Sequence, residues 1–216
     1  MADLTTYEGL KAAIADYLGR EDLTDRIPVF IRMWEQRGNR TLRLRAMEHR
    51  AHASLPKGQG QIPLPMKRVP GQWDVFLEMR DIVWTPSDGN GSVNLWYASP
   101  DEYALLLEKT GRPYCFTVEA NDLFVLPTPD QAGKLQLTYY AEIPPLGDEQ
   151  PDNEILLRHP DLYLYGSLIE SAVFTRGSVP ADMWAQYYRQ AVADISQQET
   201  QARYPKDISM RPMRRI

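Results

Sequence analysis

The sequence predicts an α+β protein. Its expected parts are a four-helix bundle formed by the N- and C-terminal helices, an inserted small β-sandwich or barrel, and an extended C-terminal arm. Three observations carry this expectation. Apolar residues recur at helical spacing near both ends of the chain, in 7–18 and 27–42 and again in 160–176 and beyond 180. Between about residues 47 and 143 the pattern becomes short alternating runs broken by proline and glycine. The last stretch, PKDISMRPMRRI, has no period at all. The expected boundaries are a bundle over 1–44 and 155–204, a β domain with one short helix and a linker over 45–154, and an arm over 205–216.

The helices follow from stripes and punctuation. Thr5 or Thr6 caps a first helix with Glu8 in its opening turn, an apolar face of Tyr7, Leu10, Ile14, Tyr17 and Leu18, and Gly19 as its stop. Thr24 is placed to cap a second, in which Pro28 is early enough to be tolerated and Ile27, Phe30, Ile31 and Trp34 form the buried stripe. Pro160 opens a third, RHPDLYLYGSLIESAVFTR, with Leu162, Tyr165, Leu168, Ile169 and Ala172 in line and Tyr163, Leu164 and Val173 widening the arc. A helix that apolar is covered on several sides, so it is expected as the axle of the bundle. Gly166 inside it predicts the close approach of another backbone. Ser178 and Pro180 start the last helix, with Met183, Trp184, Tyr187, Tyr188, Ala191 and Ile195 facing in.

Strands are expected over 47–55, 61–64, 76–85, 93–97, 114–119, 123–126 and 135–143. Pro86 to Gly91 is hairpin chemistry, and Ser99-Pro100-Asp101-Glu102 is a capping box that opens a short helix. Alternation of Leu135, Leu137 and Tyr139 with Gln136, Thr138 and Tyr140 predicts a sheet with one wet face.

Composition excludes several classes. Of 216 residues, 43% are apolar and 25% charged, enough to bury a core. A net charge of −5 argues against a surface built as a whole to hold nucleic acid. One cysteine, Cys115, forms no internal disulfide and no cysteine-built metal site. No apolar run reaches the length of a membrane span, and MADLTTYEGLKAAI lacks the pattern of a signal peptide, so a cytoplasmic site of synthesis is expected.

Nothing in the chain is assembled for catalysis. On a strand, His49 and His52 point to opposite faces and cannot share an ion. His159 stands at a helix start, as a cap or a solvated side chain. Cys115, between Tyr114 and Phe116, reads as a packed hydrophobe. There is no nucleophile elbow, no phosphate-binding glycine loop and no metal-binding Glu/His helix motif. A dispersed hydrolase site in the β domain would first show as a cluster of perturbed carboxylates. No cofactor is expected.

Two charged surfaces stand out. Arg37, Arg40, Arg43, Arg45 and Arg50 form a basic series without interleaved aromatics. They suit phosphates, as in a nucleic-acid-binding module, or else a solvated face or pairing between subunits with the acidic segment of Asp148, Glu149 and Asp152. The arm carries Lys206, Arg211, Arg214 and Arg215 against Asp207, interspersed with Ile208, Met210, Met213 and Ile216. That composition suits a segment that lies extended along a partner's sheet or groove.

Three stretches carry a family resemblance: MADLTTYEGLKAAIADYLGREDLTDRIPVFIR, ALLLEKTGRPYCFTVEANDLFVLPTPDQAGKLQLTYYAEIPPL and RHPDLYLYGSLIESAVF. Within them, Asp25-Arg26-Ile27-Pro28, Leu137-Thr138-Tyr139-Tyr140 and His159-Pro160-Asp161-Leu162-Tyr163 are the most specific. The chain resembles the head-to-tail adaptor proteins of tailed phages, also called connector, head completion or tail tubular A-like proteins. This resemblance implies a structural virion protein at the head–tail interface, without enzymatic activity. It further implies a ring, usually of twelve copies, between the portal protein and a tail nozzle or tail protein, through which double-stranded DNA passes. In those terms Lys206 to Ile216 become the portal-docking arm, and the bundle helices become the ring contacts.

Overall fold

The computed structural model describes residues 3–175 and 180–203. The chain is mixed α+β. Its contacts divide it into two compact units, Met1–Ala46 with Ile143–Ile216, and Met47–Glu142. The segment 143–153 therefore belongs with the helices. The arm and Ser178 lie outside the described residues.

Helix α1, Tyr7–Leu18, begins where Thr6 accepts the Gly9 N–H on its hydroxyl at 3.2 Å. It ends on Gly19, whose left-handed φ of +58° lets its N–H reach the Ala15 carbonyl. Tyr7, Leu10, Ile14 and Leu18 are buried. Tyr17, expected on the same face, is 52% exposed. Helix α2, Ile27–Thr41, follows a 3₁₀ turn at Glu21–Arg26. Thr24 falls inside that turn and does not cap the helix, whose N-cap position is Arg26. The buried face is Ile27, Phe30, Ile31 and Trp34, joined by Glu35 and Gly38.

The second unit holds strands β1 Glu48–Leu55, β2 Gln61–Pro63, β3 Met66–Lys67, β4 Asp74–Pro86, β5 Val93–Asn94 and β6 Trp96–Tyr97. Helix α3, Pro100–Leu106, follows, with the expected capping box of Ser99 and Glu102. Then come β7 Thr110–Gly111, β8 Cys115–Glu119, β9 Asp122–Leu126, β10 Thr128–Pro129 and β11 Gly133–Ala141. One sheet runs β1-β11-β4-β3 with β5 on β4, another runs β2-β9-β8-β6, and β7 pairs with β10. Both larger sheets feed one core, in which Leu55, Ile82, Trp84, Leu135 and Leu137 meet Ile62, Phe116, Leu123 and Val125. No sheet among the described residues closes into a barrel.

The strand expected over 93–97 is two strands in two sheets. Leu95 N–H bonds the Ile82 carbonyl in the first sheet, and Trp96 N–H bonds the Tyr114 carbonyl in the second. The buried Leu95 side chain marks the crossing. On β11 the wet face is incomplete. Register shifts beside Tyr139 and Ala141 break the period, and Thr138 and Tyr140 are buried with their neighbours.

The chain returns through α4 Glu154–Arg158, α5 Pro160–Ser171 and α6 Ala181–Arg203. Helix α5 ends five residues earlier than its pattern predicts, and Val173 is 79% exposed instead of widening the apolar arc. Still, α5 touches α1, α2 and α6, and buries Leu162, Tyr163, Leu164 and Leu168. Tyr163, not Tyr165, is its wholly buried tyrosine, with its ring 4.1 Å from that of Trp34.

Gly166 explains how the two helices come so close. A Cβ there would stand 1.9 Å from Trp34 Cδ1 and 2.0 Å from its Nε1. The expected close approach is thus by an indole ring, not a backbone. Gly166→Ala is predicted to cost about 2–3 kcal/mol or more through overpacking, despite the better helix propensity of alanine. Chemical denaturation should show this, and should show partial recovery when Trp34→Phe is combined with it.

Candidate functional site

The polar centre of the helical unit is a buried carboxylate that no sequence pattern announced. Glu35 is 2% exposed, in the apolar stripe of α2. Its Oε1 accepts the Leu146 N–H at 2.7 Å and the Tyr163 hydroxyl at 3.2 Å. Arg32 Nη1 lies 3.4 Å from Oε2. Asn153 donates to the Tyr163 oxygen at 2.6 Å and to the Pro144 carbonyl at 2.7 Å, and its own oxygen caps α4 by accepting the Leu156 N–H at 2.9 Å. Two further bonds fasten the same segment: Ile143 N–H to Asn39 Oδ1 at 2.8 Å, and Tyr7 N–H to the Pro151 carbonyl at 2.7 Å. The stretch read as a solvated linker is a strap pinned to α1, α2 and α5.

Asp148, Glu149 and Asp152 are the exposed carboxylates of that strap. The basic series is scattered. Arg37 Nε lies 2.8 Å from Glu170 Oε1, a carboxylate buried on α5. Arg43, just past α2, donates to the Asn39 and Leu42 carbonyls at that helix's end. Arg50 stands on β1, in the other unit. Arg40 points outward on α2 and has no carboxylate within ion-pair distance among the described residues. Within the helical unit, Arg37 and Arg43 are thus engaged inside the chain, while Arg40 and Arg45 are exposed.

The remaining candidates are structural. His49 Nδ1 lies 3.0 Å from Asp74 Oδ1, and the Tyr139 hydroxyl donates to both Asp74 oxygens at 2.8 and 2.9 Å, which ties β1, β4 and β11 together. His52 is exposed on the opposite side of β1. Among the described residues no group of three or more His, Cys, Asp or Glu side chains is placed to hold a metal. His159 occupies the N-cap position of α5 without a side-chain cap bond, and burial holds its imidazole below the usual value. Cys115 is buried, with its thiol pushed up to about 11 by that burial, so it is a packed side chain and not a nucleophile. No described helix is long and apolar enough to cross a membrane.

Burial pushes the Glu35 carboxyl up to about 7, against the pull of Leu146 N–H, Arg32 and the Tyr163 hydroxyl. The folded chain therefore holds this proton more tightly than the unfolded chain does. The linked stabilisation is complete below the ordinary carboxylate range and is lost as pH rises from about 4.5 to 7. Glu35→Gln keeps an acceptor for Leu146 and Tyr163 but cannot ionise. Between pH 5 and pH 8 the parent should lose on the order of 2–3 kcal/mol relative to this variant. Denaturant titrations of both proteins at the two pH values measure it, and parallel pH dependence would refute it.

These features describe a helical unit held together by buried polar bonds. No curated protein matches the chain. The family model of the SU10 adaptor protein matches residues 5–215, nearly the whole sequence. A match of that extent leads to one assignment: the chain belongs to the SU10 adaptor protein family, as a phage adaptor-type, structural component of the virion.

Proposed function

We propose that this chain is a head-to-tail connector that forms a ring beneath the portal protein and joins it to the tail nozzle or a tail protein. Twelve copies would surround the channel through which double-stranded DNA leaves the head. The observation that carries this reading is the extent of the family match, which runs through the arm to residue 215. The helical unit supplies the ring contacts. Arg37 and Arg43 brace the chain internally, Arg40 is the outward cation of the series on α2, and Asp148, Glu149 and Asp152 offer exposed carboxylates to neighbouring copies. A rigid strap suits this task, because carboxylates held in place lose little freedom when they meet a partner.

The arm is the portal-docking element in this reading. Lys206, Arg211, Arg214 and Arg215 supply charge, while Ile208, Met210, Met213 and Ile216 supply apolar contacts. A segment that orders only on docking spends part of its binding energy on that ordering, which favours assembly on a finished portal. The net charge of −5 gives passing DNA little to grip, since its phosphates find no excess of counter-charge.

Deletion of Lys206 to Ile216 is predicted to leave the circular dichroism spectrum and melting temperature at the parent's values while abolishing co-sedimentation with the portal. Attachment that survives the deletion would overturn the docking role.

A further inference from the structure

The exposed side of α2 carries Val29, Met33, Gln36 and Arg40, at intervals of 4, 3 and 4. On a helix that spacing makes one straight seam. It lies opposite the buried Ile27, Ile31, Trp34 and Gly38. Helix α6 carries a second seam at the same intervals: Met183, Tyr187, Gln190 and Asp194. Each seam starts with two large apolar side chains left wet. Val29 is 50% and Met33 38% exposed, and Met183 and Tyr187 are 44% and 47% exposed.

The second seam is propped in place. The Tyr165 ring of α5 lies 5.3 Å from that of Tyr187, and Gln190 donates to Asp194 at 2.8 Å. Asp161 of α5, with Ala191 and Asp194 of α6, lines a groove between the two helices. On α2 the flanking arginines are used within the chain: Arg26 lies over the Phe174 ring, Arg32 is beside Glu35, and Arg37 is beside Glu170. Arg40 alone continues the seam outward.

We propose that the α2 seam of one copy packs along the α6 seam of the next, with its Arg40 end at the α5–α6 groove. Laid parallel, the two seams set Val29 against Met183, Met33 against Tyr187, Gln36 against Gln190, and Arg40 against Asp194 with Asp161 beside it. Apolar pairs meet at one end and opposite charges at the other, over the same span of about 16 Å. Two different surfaces meet, so the contact is head to tail. An open row of copies leaves one seam bare at each end until a ring closes. The occupant is a second copy because the complement of each seam, in spacing and in charge, is on this chain. This inference rests on the ring reading above and names its contact.

The test uses the full chain with Met33→Cys and Tyr187→Cys together, oxidised at high protein concentration, after its circular dichroism spectrum has been matched to the parent's. The buried Cys115 leaves the parent as a blank. A ladder of dimers, trimers and larger species on a non-reducing gel is expected, with no ladder from either single variant, because an engineered pair at the seam centre comes within disulfide reach. In the double-cysteine chain, Arg40→Asp should cut the ladder at least tenfold, and adding Asp194→Arg should restore it. Absence of the ladder, ladders from single variants, or failure of the charge swap to restore it would each overturn the pairing. Rings seen on the portal by electron microscopy without a ladder would remove this contact and leave the connector reading standing. Neither rings nor a ladder would remove both.

Discussion

Glu35 receives the Leu146 N–H and the Tyr163 hydroxyl on one carboxylate oxygen, in a place water does not reach. Burying a carboxylate is costly unless it is bonded, and each bond here comes from a different part of the chain. One donor is in the strap, one is on α5, and Arg32 is on α2 itself. Asn153 extends the network to the cap of α4. The N-terminal helices and the C-terminal helices, separated by the whole β unit in sequence, are brought into one unit by apolar packing around α5. The carboxylate then fixes how the returning chain enters. Removing a partner would leave a buried acceptor unsatisfied, which costs more than the bond itself contributes.

Much of the architecture was legible because apolar periodicity states which face is buried. The stripes of α1, α2 and α5, the capping box of α3 and the alternation along β11 lead to elements at nearly the expected places. What was not legible depended on partners distant in sequence. Glu35 sits in a helix among charged neighbours and looks like solvated surface until Leu146 and Tyr163 are seen beside it. The strap looked like a linker for the same reason: proline and acidic residues describe its composition, not its bonds. Leu95 could not be read as a crossing between sheets, since a crossing is set by which carbonyls its neighbours find. Even Gly166 was misread in kind, because the sequence cannot say that its visitor is the Trp34 ring.

Functionally, the chain spends its charged groups inward. Arg37 and Arg43, which in sequence look like part of a surface for phosphates, hold a carboxylate and helix-end carbonyls of the chain itself, and Arg32 lies beside Glu35. A helical unit braced in this way presents fixed side chains to its surroundings. Fixed side chains suit a protein whose task, as in the SU10 adaptor family, is to meet other proteins in a defined geometry. The apolar residues exposed on α2 and α6 are the ones that the proposed contact between copies would cover.

The most direct measure of the account is native-state hydrogen exchange at the strap amides of Ile143 and Leu146. If Asn39 and the buried Glu35 hold them as the structure shows, both should exchange only with the global unfolding of the helical unit, and Glu35→Ala should release Leu146 by several orders of magnitude. Exchange of Leu146 in the parent at the rate of an unprotected loop would contradict the account.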